Sequence, residues 1–117
     1  MPRSAAAYLS DIIDACDAIA DVLSGVDLET YRSRRPIRSA VERELITIGE
    51  AMSSVGRVAP EMFDEVPNAR MIVGLRNVLT HDYAAVDDET VLGVAESDVP
   101  ALRLKCAALL ERTGEAD

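Results

Sequence analysis

The chain has 117 residues, about the size of one domain, and 49% of them are apolar, which argues against a two-domain enzyme and against global disorder. Twelve basic against 21 acidic residues give a net charge of −9, which excludes a whole-molecule basic field for nucleic acid. No apolar run approaches the ~20 residues a membrane span needs, and the early Asp11, Asp14 and Asp17 are unlike a secretory leader, so a cytoplasmic location is expected.

Leu9, Ile12, Ile13, Cys16, Ile19, Ala20 and Leu23 recur at three- and four-residue steps, with Asp14, Asp17 and Asp21 opposite. This predicts an amphipathic helix from about Ser4 to Leu23, with Ser4 as N-cap and Gly25 near its end. Asp27–Tyr31 reads as one short turn. A second long helix is expected from Arg35, with Pro36 in its first turn, where the missing N–H costs nothing. Val41, Leu45, Ile48, Met52 and Val55 make its stripe, and Gly56 is expected to end it. Gly49 on this helix costs about 1 kcal/mol relative to Ala and suggests close approach of a neighbour. A single turn at Glu61–Asp64 follows between Pro60 and Pro67.

The third long helix runs from Pro67 or Asn68 to about His81. Asp87–Ser97 reads as a short helix capped by Asp87 or Asp88. Ser97 is expected to cap a last helix, with Pro100 in its first turn and Leu102, Cys106, Leu109 and Leu110 inward. No strand signal occurs. The predicted fold is all-α, an up-and-down bundle of four to five helices in a single domain over residues 1–117. Cys16 and Cys106 match no zinc or redox spacing and read as buried, reduced thiols.

Charge is uneven along the chain. Residues 32–57 carry six basic and three acidic groups, whereas both flanks are strongly acidic. Arg32, Arg34, Arg35, Arg38 and Arg43 form the one basic concentration. It reads either as an RNA or partner contact through Arg35, Arg38 and Arg43, or as a salt-bridge face with Glu42, Glu44 and the Asp-rich first helix.

The one histidine lies in Gly74-Leu75-Arg76-Asn77-Val78-Leu79-Thr80-His81-Asp82-Tyr83. With Met71 at 0° on a helical wheel, Met71, Ile72, Leu75, Val78 and Leu79 fall between about −20° and 100°. They are the expected core stripe. Arg76, Thr80, Asn77 and His81 fall between about 140° and 280°, on the face away from it. Asp82 would enter the stripe, so the helix should end near His81.

Histidine titrates near neutrality and suits general acid–base work. Arginine offers a permanent, bidentate phosphate clamp. Asn77 is placed to orient the imidazole or a substrate. The set fits RNA cleavage in which a base takes the 2′-hydroxyl proton and a cation stabilises charge at phosphorus. No metal cluster competes with this reading, and no cofactor is called for. The bland alternative for His81 is a helix-terminal histidine favoured by the macrodipole.

Arg76-Asn77-x₃-His81-x-Tyr83 resembles the Arg-x₄₋₆-His motif of HEPN domains, in the form used by the HepT family. Ala40-Val41-Glu42-Arg43-Glu44-Leu45-x₂-Ile48-Gly49-Glu50-Ala51 is similar to that family's second-helix signature. Ile72–Asn77, and Tyr83-x₂-Val86-Asp87 with Val91-x₂-Val94 and Val99-Pro100-x-Leu102, match its later strings. The chain departs from the pattern in having Asn68-Ala69-Arg70 after Pro67, without an aromatic residue, and no tryptophan at Val91-Leu92.

The resemblance implies a dimeric, all-α ribonuclease toxin with Arg76 and His81 catalytic and two motifs meeting in a cleft between subunits. It implies a partner, an MntA-like minimal nucleotidyltransferase antitoxin, that transfers AMP to Tyr83. The alternative kept open is a non-catalytic HEPN module that binds nucleotide or a nucleotidyltransferase.

Overall fold

The computed structural model describes residues 3–82 and 86–114. Among them there is no strand, and the elements follow the apolar periodicity closely. Helix α1 spans Ala5–Leu23, α2 Leu28–Ser33, α3 Arg35–Val58, α4 Pro60–Asp64, α5 Ala69–His81, α6 Asp88–Gly93 and α7 Val99–Gly114, with a π-helical turn at Val94–Asp98.

Caps explain most boundaries. The Ser4 hydroxyl accepts from the Ala7 N–H at 3.2 Å, and Gly25, at φ +73°, turns the chain just after α1. Asp27 caps α2 through the Thr30 N–H at 2.8 Å, and Asp87 caps α6 through the Thr90 N–H at 3.0 Å. Helix α3 continues past Gly56 to Val58. Pro60 ends it instead, because the residue before a proline is pushed out of the helical region, and Ala59 has φ −148° and ψ 69°.

Ser97 does not cap a separate helix. It lies inside the π-turn, which joins α6 to α7 without a break. A proline removes one helical hydrogen bond and its ring crowds the carbonyl four residues back. The wide turn just before Pro100 gives that ring room. The Asn68 side-chain amide donates to the Asp98 carbonyl at 3.1 Å, tying the start of α5 to the same turn.

The long helices pack in a series, α7 on α1, α1 on α3 and α3 on α5. Leu9, Ile12 and Ile19 of α1, Leu45, Ile48 and Met52 of α3, and Leu102 and Leu109 of α7 are wholly buried between them. The 24-residue α3 is about 36 Å long at 1.5 Å per residue and sets the long dimension of a 46 × 28 × 25 Å molecule. Asp14, Asp17 and Asp21 face solvent as the pattern of α1 requires. Arg103 of α7 grips Asp17 through two hydrogen bonds of 2.6 and 3.2 Å. Cys16 and Cys106 are buried free thiols, and burial pushes them up to about 12 and about 11, so both stay protonated. Among the described residues no helix is long and apolar enough to cross a membrane.

Candidate functional site

Helix α5 carries the Arg–His pair, and its rotation differs from the predicted one. Ala69, Ile72 and Leu79 are buried, whereas Met71 and Val78 are exposed, at 39% and 41%. The core side is therefore centred nearer 120° than 40° on the wheel. The whole polar arc does not face away from the core. Arg76, at about 140°, faces α3, while His81 points outward near the opposite pole.

Gly49 is what permits this rotation. A Cβ built there would overlap the Arg76 Cβ and lie 2.8 Å from its Cγ and 3.2 Å from the Ile72 carbonyl oxygen. Only a residue without a side chain lets α5 seat this closely on α3. The stem of Arg76 occupies the resulting notch, an aliphatic chain lying along a packed surface with its charged end kept near water.

The guanidinium is held at two corners. Nη1 donates to the Asn77 Oδ1 at 2.8 Å, and Nη2 meets the Glu50 Oε1 at 3.5 Å. The side chain is 31% exposed, while Nε is buried with no acceptor among the described residues. Asn77 thus bonds to the arginine, not to the imidazole. Thr80 is turned back on its own helix, donating to the carbonyls of Arg76 and Asn77 at 3.0 and 3.2 Å.

His81 ends the helix as expected. The Asp82 N–H closes the last turn on the Val78 carbonyl at 2.7 Å, and His81 is exposed in that turn. His81 lies five positions after Arg76, about 7.5 Å along the helix and 140° around it. Tyr83 lies outside the described residues.

The arginine-rich corner splits between uses. Arg38, half-buried, donates to the carbonyls of Tyr31, at 3.4 Å, and of Arg32, satisfying the end of α2. Arg32 reaches Glu89 at 3.8 Å. Arg35 and Arg43 are exposed on α3. The described residues show no ion pair from this cluster to Glu42, Glu44 or α1. Glu42 has Asp88 as a neighbour, and burial followed by that charge raises its carboxyl above the ordinary range.

Sequence reasoning gave no role to Glu50, although it lies next to the singled-out glycine. No local pattern pairs a residue on one helix with an arginine 26 positions later. Among the described residues no group of three or more His, Cys, Asp and Glu side chains is gathered as metal ligands would be.

Comparison with known proteins places the chain in a family. The ribonuclease HepT-like family matches residues 12–109, most of the chain and every helix from within α1 to within α7. The chain belongs to the HepT-like ribonuclease family. It is 33% identical over 101 residues to a Methanocaldococcus jannaschii protein named as a candidate RNase, covering 86% of this chain and 92% of the relative. It is 30% identical over 105 residues to a Thermococcus cleftensis protein named "Probable ribonuclease HepT", covering 90% of this chain and 94% of the relative. A third relative, a candidate RNase of Caldanaerobacter subterraneus, is 25% identical over 105 residues. No solved structure gives a significant match. The HepT-like match contains Gly49, Glu50, Arg76, Asn77 and His81 together.

Proposed function

We propose that this HepT-like chain, acting over residues 1–117 as one unit, is a metal-independent endoribonuclease and the toxin of a toxin–antitoxin pair. The observation that carries the reading is the seating of Arg76 in the Gly49 notch, on the same helix as an exposed His81. Arg76 is a fixed cation for a phosphodiester. His81 moves protons. In the reaction the 2′-hydroxyl loses its proton to an imidazole, its oxygen bonds to the adjacent phosphorus, and the bond to the 5′-oxygen breaks. That oxygen takes a proton as it leaves.

Base and acid are two roles, and the chain has one histidine. Two copies meeting across α5 supply both. The outer side of α5 favours such a meeting, since Met71 and Val78 are exposed with Gly74 between them and open space beyond that glycine. Asn77 orients Arg76, and Arg35 and Arg43 are free on α3 to meet RNA phosphates or a partner. The resemblance supplies the regulation. An MntA-like nucleotidyltransferase joins the α-phosphate of ATP to the Tyr83 phenol oxygen, with pyrophosphate leaving. The added AMP puts negative charge and bulk two residues beyond His81 in the sequence, which opposes RNA binding.

The test is RNA cleavage and intact mass of the purified chain, with and without a cognate nucleotidyltransferase and ATP, beside His81→Ala and Arg76→Ala. Cleavage should fall by at least ~100-fold in each variant. It should also vanish in the native chain as AMP mass is gained, and Tyr83→Phe should escape that loss. Robust cleavage by His81→Ala refutes the catalytic assignment. No cleavage by the unmodified native chain favours a nucleotide- or partner-binding module.

A further inference from the structure

We infer that Glu50 is a positioning residue, which fixes the Arg76 guanidinium for phosphate and is released as the phosphate binds; this rests on the ribonuclease reading above. Three observations converge on it. Gly49 fixes the root of Arg76, because the space a side chain would fill holds the Arg76 stem. Asn77 holds one terminal nitrogen at 2.8 Å. Glu50, the residue next to the notch glycine, meets the other at 3.5 Å across the helix–helix groove.

Without Glu50 the guanidinium would be tethered from its own helix only and would swing about its last torsions. With it, the planar group is bridged between α3 and α5. Arginine has five N–H donors, and these two partners leave further hydrogens on Nη1 and Nη2 for an anion. The Glu50 contact is long, single-pronged and half-exposed, with 56% of its side chain open to solvent. It is strong enough to orient and weak enough to be exchanged. A phosphodiester offers two oxygens and full charge to the same fork. The carboxylate therefore occupies, in the resting chain, the place a phosphate oxygen takes in the complex. No bond is made or broken in this exchange.

The experiment compares Glu50→Ala and Glu50→Gln in steady-state RNA cleavage, with Arg76→Ala and His81→Ala as references. Glu50→Ala should lower kcat about tenfold through loss of orientation. Glu50→Gln keeps an acceptor but not the competing charge, so kcat should stay within about twofold of native while KM falls. A second readout does not depend on activity. The Nη resonances of Arg76 in ¹⁵N-labelled protein should show hindered rotation in the native chain and Glu50→Gln, and free rotation in Glu50→Ala. Native kcat in Glu50→Ala, equal losses in both variants, or unchanged Nη signals overturn the assignment. If Arg76→Ala and His81→Ala cleave normally, the ribonuclease site itself is wrong. If they are inactive and Glu50→Ala is indistinguishable from native, only the role of Glu50 fails.

Discussion

The two long sides of α5 follow different rules. On the inner side Ala69, Ile72 and Leu79 are buried and Arg76 is wedged against α3. On the outer side Met71 and Val78 stand exposed, and a Cβ on Gly74 would meet nothing within 4 Å. Each side involves a glycine, but for opposite reasons. Gly49, across the inner groove, is required by contact distance. Gly74 is required by nothing in a single copy and only weakens its helix. A small residue is informative where a neighbour is already inside its missing side chain.

Substitutions on the two sides sharpen the contrast. Ile72→Ala removes a buried side chain and should cost about 2–5 kcal/mol of stability, whereas Met71→Ala should stay within about 0.5 kcal/mol in dilute solution. Urea unfolding of both, at falling protein concentration, checks this. A large cost for Met71→Ala that fades on dilution would locate a second copy on the outer side. Gly49→Ala comes next. Helix propensity alone favours alanine by about 1 kcal/mol. The overlap with Arg76 and the Ile72 carbonyl should outweigh that and leave a net loss of about 1–3 kcal/mol. Gly74→Ala should raise the unfolding free energy by about 0.5–1 kcal/mol in dilute solution. A loss instead would mean that α5 is closely covered there.

Periodicity made the helices legible because each buries one side in a continuous core. Leu9 to Ile19 and Val41 to Val55 kept their spacing from sequence to structure. The site was legible only as a set of residue types on one helix. The rotation of α5 was not, because the wheel weighs Met71 and Val78 as apolar and cannot know that Gly49 lets the other side pack inward. The role of Arg38 was also hidden, since the carbonyls it satisfies exist only once α2 ends. Ser97 misled for a related reason. Serine before a proline has the pattern of a helix start, and a π-turn leaves no signature at that scale.

That π-turn has a mechanical consequence. It makes the chain from Asp88 to Gly114 one rod, because Gly93, Val94 and Val99 all hold the right-handed helical conformation and none serves as a hinge. One part of the rod rests on α2 and the other on α1. Asp87, which caps it, follows His81 by six residues in the chain. A displacement at that cap is not absorbed by a loop between α6 and α7. The rod ties the Asp87 cap directly to the packing of α7 on α1.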